Sequence, residues 1–441
     1  MNGTTVSDAP APGAGPGPLP APPGGPAAAI GRYRWRICAL LFFATTLNYL
    51  DRQVLGILAP ELQRTFAWSD TDYATIAAAF KVAYAIGLVS MGRLLDRVGT
   101  RVGYAAGLGL WSVAGMLHAA AGSVFGFAAA RAALGLAEAV NFPAAMKTVA
   151  EWFPKTERAL ATGLFNSGAN IGAIVAPIVV PVIAVSLGWQ WAFILTGAIG
   201  LVWLGFWWRM YRHPARHPWL SAGELALIQA DGVEPQTRIP YLRLLPHRET
   251  ITVCLLKFVT DPVWWFFLFW LPKFLNERYG LSLLELGPPL IIIYLASDAG
   301  SIAGGWLSSA LVKRGRSVDF ARKTAILICG LFAVPIFLVA RTDSLWAAVG
   351  LISLGTAAHQ GCSANIYTVM ADVFPRRAVG SVVGLAGLFG AISGALVDGF
   401  VGVMLETTGS YLPVFALFSG AYVLAWVILR IGIPTIRPIE L

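Results

Sequence analysis

The stretch "AEWFPKTERALATGL" (150–164) recurs in altered form as "ADVFPRRAVGSVVGL" (371–385). Both copies keep an alanine followed by an acidic residue, a Phe-Pro pair and a later Gly-Leu, at an offset of 221 residues. That offset is half of the 441-residue chain, so the pattern indicates an internal duplication. Two similar halves with a basic loop between them are typical of transporters in which two helical bundles rock about a central site.

Composition predicts that both halves lie in a membrane. Apolar residues make up 57% of the chain and charged residues 12%, with a mean hydropathy of +0.67, whereas soluble proteins carry about 25% charged residues. A run of about 20 apolar residues crosses a bilayer as a helix. We therefore predict an all-α integral membrane protein with twelve transmembrane helices in two pseudo-symmetric six-helix bundles. The predicted spans are, approximately, 36–58, 72–92, 102–121, 124–146, 160–184, 190–208, 251–275, 287–311, 324–340, 345–370, 379–404 and 411–432.

Polar segments separate the predicted bundles. Residues 1–30 are rich in Pro, Ala and Gly and are predicted to form a disordered cytosolic tail. The bundles are expected at 31–208 and 251–441, with a central loop at 209–250 in which Ser221 is a candidate helix cap. Lys and Arg are concentrated on the two flanks and in the even-numbered gaps, which predicts that both termini are cytosolic. The net charge of +9 then needs no nucleic-acid partner.

Four charged residues stand inside the predicted first and fourth spans, where a charge costs about 2.5–3.5 kcal/mol on insertion scales. With a rise of about 1.5 Å per residue, Asp51 and Arg131 lie at nearly the same depth, and Glu138 lies two turns beyond Arg131, close to the midplane. We expect Arg131 or Arg52 to offset Asp51, and Glu138 to have no cation within one or two turns. Asp51 and Glu138 are therefore predicted proton-coupling sites, and Arg52 and Arg131 are candidates for a bidentate carboxylate clamp. The alternative is that these charges pair only to pack helix ends.

The segment "GRLLDRVGTR" (92–101) follows the second predicted span. It resembles the G-x-L-x-D-R-x-G-x-R/K loop of the major facilitator superfamily, as do the twelve spans and the half-chain repeat. The resemblance implies a gating motif in which Asp96 pairs with a neighbouring helix end or arginine and Gly99 makes a tight turn. The second-half counterpart "GGWLSSALVKRGR" (304–316) has Ser309 where an aspartate could stand. The predicted gating residues are Gly92, Asp96, Arg97, Gly99 and Arg101.

Several strings resemble the anion:cation symporter family, and more narrowly its hexuronate transporters. They are "NYLDR" (48–52), "AEAVNFPAAMKTVAEWFPKTERALATGLFNSGANIGA" (137–173), "GWLSSALVKRG" (305–315) and "HQGCSAN" (359–365). The resemblance covers about residues 32–435. It implies proton-coupled uptake of a sugar acid such as galacturonate or glucuronate across the inner (plasma) membrane, and it supports Asp51, Glu138 and Arg131 as site residues.

Further polar residues are candidates for contact with the sugar. Tyr49 and Tyr84 have the aromatic face and hydroxyl suited to stacking on a pyranose ring. Lys81 is either a second cation for the substrate or a buried partner of Asp51. Asn170 is the better cavity candidate of the pair formed with Asn166. On the predicted tenth span the candidates are His359, Gln360, Ser363 and Asn365.

The second half is predicted to supply neutral recognition groups and the first half the charges. His359 is more easily explained as a satisfied neutral histidine than as a titrating group. For Asp298 and Asp398 we favour hydrogen bonds that pack helices over cation sites. The four scattered cysteines suggest neither a metal site nor a disulfide framework.

Other functions remain open at this point. Within transport, the cargo could be another organic anion, such as an aldonate, glucarate or an aromatic acid, or the protein could be an efflux antiporter. Motifs for a membrane enzyme (H-E-x-x-H, G-x-S-x-G, clustered Cys/His) and for an ATP-driven pump are not found in the sequence. No cofactor or metal is expected, and a sodium site lacks a visible ligand cluster. The expected partners are a small organic anion, protons and the lipid bilayer, with the protein acting as a monomer.

Overall fold

The computed structural model describes residues 31–230 and 241–440. The predicted tail 1–30 and part of the central loop lie outside the described residues. Regular structure in the described part is helical. The first half consists of α1 (Tyr33–Phe66), α2 (Asp70–Val98), α3 (Thr100–Leu117), α4 (Val124–Glu138), α5 (Asn141–Trp152), α6 (Lys155–Leu187) and α7 (Trp189–Met210).

Each predicted span corresponds to one helix or to two consecutive pieces. In the first half α4 and α5 together form the fourth span, and in the second half α10 and α11 form the seventh. Two short helices, α8 (Ala222–Gln229) and α9 (Tyr241–Leu244), lie between the halves. The second half consists of α10 (Arg248–Phe269), α11 (Leu271–Tyr279), α12 (Gly287–Lys313), α13 (Val318–Ala333) continued by a 3₁₀ turn (Val334–Arg341), α14 (Leu345–Val373), α15 (Arg376–Thr408) and α16 (Leu412–Gly432).

Within the described ranges, nine segments are long and apolar enough to cross a membrane by length and composition. The three remaining spans, α1, α3 and α14, fall outside that set. Helix α1 contains Asn48, Asp51 and Arg52, and α14 contains His359 and Asn365. Polar side chains turned into the protein lower the hydropathy of these helices without exposing charge to lipid. The helices that miss the apolar criterion therefore include two that carry candidate site residues.

Short turns keep neighbouring helices antiparallel. Ser69 caps α2 in a reciprocal capping box with Asp72. Gly99 ends α2 and begins α3 with φ +80°, a conformation that glycine adopts without strain. We call the side of the membrane where α1 begins the near face, and the side where α1 ends the far face.

The central loop returns to the start of the first half. The Glu224 carboxylate accepts hydrogen bonds from the backbone N–H groups of Tyr33 (3.1 Å) and Arg34 (2.9 Å). Ser221 caps α8, as predicted, and also accepts a hydrogen bond from the N–H of Gly31 at 3.2 Å. The loop helix α8 therefore caps the N-terminus of α1, satisfying N–H groups that a helix start leaves without partners.

The two halves meet mainly towards the far face. Lys273 pairs with Asp70 at 2.7 Å, and Glu406 accepts a hydrogen bond from the N–H of Thr71 at 2.9 Å. Gly402 lets α15 approach α2 closely, because a Cβ there would lie 3.1 Å from the Asp70 carbonyl oxygen. These contacts, together with the deeper ion pair between Lys81 and Asp398 at 2.6 Å, form what we call the far seam.

Towards the near face the halves are only loosely joined. A Cβ at Gly387 of α15 would lie an ordinary 3.4 Å from Leu88 of α2. In the part of the chain that the structure describes, the side-chain hydrogen bonds and ion pairs that join the halves lie between the level of Lys81 and the far face. The space between the halves is therefore closed at the far face and opens towards the near face.

Candidate functional site

Arg52 lies at the centre of the candidate site. Its Nε and Nη2 atoms donate to the same oxygen of Glu138, Oε2, at 3.0 and 2.9 Å. Nη2 also donates to the Asn48 side chain at 3.0 Å. Arg52 is 3% exposed and Glu138 is 1% exposed, so the pair is buried. The prediction that Glu138 has no cation is wrong, because its partner comes from α1 and not from its own helix.

Aromatic rings enclose the Arg52 guanidinium. Its carbon lies 4.7 Å from the ring centre of Tyr49, 5.0 Å from that of Tyr84 and 5.3 Å from that of Phe80. Trp265 of the second half lies at 5.6 Å. These distances are in the range of cation–π attraction. The two tyrosines named as sugar contacts therefore surround Arg52, and both are half-buried.

Arg131 makes no ion pair in the described structure. Its Nη2 donates to the Arg52 carbonyl oxygen at 3.0 Å, while its Nε and Nη1 atoms are buried without a described hydrogen-bond partner. Its guanidinium lies 5.5 Å from the ring centre of Phe80 and 5.4 Å from that of Phe269. Arg131 is fully buried and retains donors that an anion could occupy.

Asp51 is buried and is not paired with either arginine, contrary to the prediction. Neither of its carboxyl oxygens has a hydrogen-bond partner among the described groups, and Thr196 of α7 lies beside it. Arg131 acts on it only through longer-range electrostatics. Adjacent residues on a helix point in different directions, so Asp51 faces α7 while Arg52 faces α4.

Lys81 pairs with Asp398 of the second half. The Nζ–Oδ1 distance is 2.6 Å, and Trp270 Nε1 donates to the same oxygen at 2.9 Å. Of the two alternatives for Lys81, the pairing with Asp51 is therefore wrong, and the helix-packing contact expected at Asp398 is an ion pair that joins α2 to α15. The Lys81 side chain is 0% exposed, so a ligand could reach it only if this pair separated.

The tenth-span candidates have different environments. His359 Nδ1 is hydrogen-bonded to the Tyr422 hydroxyl at 2.8 Å, and its ring is stacked on Trp264 with centres 5.3 Å apart. Asn365 donates to the carbonyl oxygens of Gly304 and Gly361 at 2.9 and 2.8 Å, so its amide joins α14 to α12. Roles in sugar binding for His359 and Asn365 stay predictions.

Three more candidates differ in how accessible they are. Gln360 and Asn170 are half-buried, and Ser363 is 8% exposed. Two residues after Asn170 on α6, Gly172 lies against the Tyr49 Cβ. Contact of these three residues with sugar hydroxyls likewise stays a prediction.

The second half also carries a charged pair that the sequence analysis passed over. Lys257 Nζ lies 2.6 Å from Asp261 Oδ1, one helical turn along α10. The ammonium lies 4.8 Å from the ring centre of Tyr367, a residue of α14 that is 43% exposed. The second half therefore also carries a buried charged pair, and the division of recognition between the two halves stays a prediction. The i, i+4 spacing of a lysine and an aspartate inside an apolar span was the signal for this pair.

The predicted gating motif is only partly visible. Gly99 makes the predicted turn, and Arg101 donates to the Trp208 carbonyl oxygen at 2.7 Å. The side chain of Asp96 lies outside the described residues. Gly92 is half-buried and Arg97 is exposed at the near face. The gating role of all five residues stays a prediction.

In the second half, the segment with Ser309 lies beside an ion pair between α13 and α14. Arg322 pairs with Asp372 at 3.0 Å and donates to Ser308 at 2.6 Å.

The helices and the buried charges together define a multi-pass membrane transporter built from two helical halves around a central site. The sequence profile described as Major Facilitator Superfamily matches residues 41–397. The chain belongs to the major facilitator superfamily.

Relatives with named substrates are similar over most of the chain. The hexuronate transporter of Escherichia coli (strain K12) is 33% identical, over 90% of this chain and 94% of that protein. The galacturonate transporter of Dickeya chrysanthemi is 37% identical, over 68% and 89%. A D-galactonate transporter of Escherichia coli O6:H1 is 31% identical, over 87% and 92%.

Two solved structures support the fold. A D-xylose–proton symporter superimposes with a TM-score of 0.73 at 16% identity, over 90% of this chain and 97% of that one. A bacterial homolog of the human lysosomal transporter Spinster, in an inward-facing unoccupied conformation, gives 0.69 at 19%, over 92% and 96%. At these identities the likeness concerns the fold alone.

Proposed function

We propose that this protein is a secondary active transporter that takes up a hexuronate, such as galacturonate or glucuronate, together with protons. The buried Arg52–Glu138 pair inside the ring of aromatic side chains carries the proposal. A buried cation held by one acid can exchange that acid for an anionic cargo. The names of the relatives, a hexuronate and a galacturonate transporter, support a sugar acid as that cargo.

The ion pair gives a physical route to coupling. Glu138 uses only Oε2 for Arg52, and Oε1 has no described hydrogen-bond partner. When the carboxylate of a sugar acid takes the Arg52 donors, Glu138 becomes a buried carboxylate without a cation. That state is strongly disfavoured in a dry site, so Glu138 binds a proton. When the sugar acid leaves, Arg52 returns to Glu138 and the proton is released.

Asp51 is the second proposed proton site. Its two unpartnered oxygens and its burial favour a carboxyl group that holds a proton in this conformation. One proton per hexuronate anion makes the movement electrically neutral. A second proton makes uptake electrogenic, with a driving force of about 2.3 kcal/mol per charge at 100 mV.

Orientation and location complete the proposal. The distribution of Lys and Arg along the sequence supports a near face in the cytosol, with both termini there, in the inner (plasma) membrane. With that orientation the described conformation is closed to the outside and open to the cytosol. A single chain holds both halves of the site, which supports a monomer as the working unit.

Uptake of labelled galacturonate into proteoliposomes under an imposed inward proton gradient tests the proposal. The comparison sets wild type against Glu138→Gln, with Glu285→Gln as a matched control, because Glu285 is an exposed carboxylate that accepts hydrogen bonds from Ser282. We expect wild type and Glu285→Gln to accumulate galacturonate, and Glu138→Gln to lose accumulation while it keeps counterflow exchange.

Competitors in the same assay decide the cargo. Glucuronate, galactonate, galactarate and an aromatic acid would each be added in excess. Wild-type accumulation that ignores the proton gradient would contradict coupling. Accumulation of another acid without any galacturonate uptake would contradict the proposed hexuronate while leaving the coupling site intact.

A further inference from the structure

We propose that Lys257, released from Asp261, is a second carboxylate-binding position, and that it lets the cavity take sugar dicarboxylates (aldarates) in addition to hexuronates. This inference rests on the proposed function, because it concerns a second anchor for the same class of cargo. Arg52 would hold one carboxylate from the first half. Lys257 would hold the other carboxylate from the second half.

The Lys257–Asp261 pair is built like an exchangeable anion site. The Lys257 side chain is 5% exposed, whereas that of Asp261 is 16% exposed, so the acid forms the accessible side of the pair. An ammonium has three donors, and Asp261 takes one of them at 2.6 Å. A carboxylate from the cavity that displaces Asp261 therefore keeps the ammonium paired, and the released Asp261 carboxylate binds a proton, as proposed for Glu138.

The neighbouring helices leave room for the Asp261 carboxylate and expose Tyr367 beside the pair. Gly390 of α15 lies directly against the Asp261 carboxylate, where an added Cβ would collide with it. Tyr367 contributes a ring 4.8 Å from the Lys257 ammonium and is 43% exposed. Tyr367 therefore forms an exposed side of this position, next to the buried Lys257 ammonium.

Tyr49 connects the two cations. Its ring lies 4.7 Å from the Arg52 guanidinium carbon, and both Lys257 and Tyr367 act on its hydroxyl group electrostatically. Helices α1 and α10 therefore present one cation from each half, Arg52 and Lys257, on the two sides of Tyr49. An extended acid with a carboxylate at both ends would bind both halves at once, whereas a hexuronate has only one carboxylate to place.

Two lysine–aspartate pairs elsewhere show that an ion pair alone does not make such a site. Lys81 and Asp398 are 0% and 1% exposed, so neither partner is accessible. Lys323 and Asp319 have the same i, i+4 spacing and the same 2.6 Å distance as Lys257 and Asp261. They lie at the near-face end of α13, where Lys323 also donates to the Pro434 carbonyl oxygen at 2.6 Å. Lys323 is therefore a matched control.

Inhibition of galacturonate counterflow by galactarate, in purified protein reconstituted into vesicles, tests the inference. The variants are Lys257→Gln, Lys257→Arg and Asp261→Asn, with Lys323→Gln as control. We expect Lys257→Gln to weaken inhibition by galactarate at least tenfold while the galacturonate half-saturation concentration changes less than threefold. Lys257→Arg should restore much of the inhibition, and Lys323→Gln should resemble wild type.

Asp261→Asn gives a result of opposite sign. Removing the competing carboxylate should strengthen inhibition by galactarate, whereas loss of a purely structural ion pair would weaken it. If Lys257→Gln weakens galacturonate counterflow and inhibition by galactarate equally, or changes neither, Lys257 is not a second carboxylate-binding position. Wild type that exchanges galacturonate but is not inhibited by galactarate would overturn it as well. Wild type that binds neither acid would instead contradict the proposed function itself.

Discussion

The far seam and the near-face side of the same cleft differ in what holds the two halves together. The far seam combines a buried ion pair, Lys81–Asp398, with a half-exposed one, Lys273–Asp70. Between them the Tyr73 hydroxyl donates to a backbone carbonyl of α10. The near side offers ordinary van der Waals approach, as at Gly387. Ion pairs and hydrogen bonds therefore join the two halves at the far face, whereas only van der Waals packing joins them at the near face.

The largest effect should follow from breaking the buried pair of the far seam. Lys81→Ala leaves Asp398 buried without a cation, and loss of one partner of such a pair costs about 3–5 kcal/mol. We expect the far seam to open and uptake to fall to background. A cysteine introduced at Ala74, which packs against Gly402, should then react with an impermeant maleimide added from the far side.

The double variant Lys81→Met/Asp398→Leu is the control for that change. It removes both charges and replaces them with apolar side chains, so thermal stability should return towards wild type. The four native cysteines are buried, so they contribute little to the labelling. Unchanged labelling at position 74 in Lys81→Ala would show that the ion pair does not close the seam.

A moderate effect should follow from crowding the seam without changing its charge. At Gly402 a Cβ would lie 2.8 Å from the Ala74 Cβ, whereas at Gly399 of the same helix it meets nothing within 4 Å. Overpacking costs about 1–3 kcal/mol, so Gly402→Val should increase labelling at position 74 roughly tenfold. Gly399→Val is the control, because it makes the same change in helix propensity without crowding a neighbouring helix. If both variants raise labelling equally, close approach of α15 to α2 is not what closes the far seam.

The smallest effect should come from an ion pair that stays within one half. The hydrogen bond from Arg34, at 2.7 Å, and its charge hold the pKa of Glu157 below its usual range. A lowered carboxyl pKa adds stability above about pH 4.3, the value for a free glutamate, and that stability is lost as the pH falls through the lowered pKa.

Thermal melting at pH 7 and at pH 4 or below measures this contribution. Between the two conditions the melting temperature of wild type should fall by about 1–2 °C more than that of Glu157→Gln, as expected for a partly exposed ion pair. Labelling at position 74 should not respond to Glu157→Gln, because the pair does not cross the seam. A change in that labelling would mean that the near face of the first half takes part in far-face closure.

Local patterns predicted the helices well. The repeat at 150–164 and 371–385 and the apolar runs can be recognised in contiguous sequence, and the twelve predicted spans are all helical. Span 1 was found despite Asp51 and Arg52, since the surrounding run is apolar. The division of α4 from α5 and of α10 from α11 was not predicted, since neither break is marked by a change in hydropathy.

The pairing of charges was less predictable, because it depends on which face of a helix packs against which neighbour. Depth along the spans put the charges of the first and fourth spans at similar levels, but we expected Arg131 or Arg52 to offset Asp51, whereas the structure pairs Arg52 with Glu138. Lys81–Asp398 joins positions 317 residues apart, which no local pattern connects. Lys257–Asp261 was readable as an i, i+4 pair within one helix.

The cap that α8 places on α1 has a consequence for how the protein is made. Arg34 and Glu224 are 190 residues apart in the chain, and synthesis proceeds at about 5–20 residues per second. The first helix therefore waits roughly 10–40 s for its cap. Glu224 is nevertheless made before Arg248, where the first long helix of the second half begins. During synthesis, α8 can therefore cap the N-terminus of α1 before the membrane spans of the second half have been made.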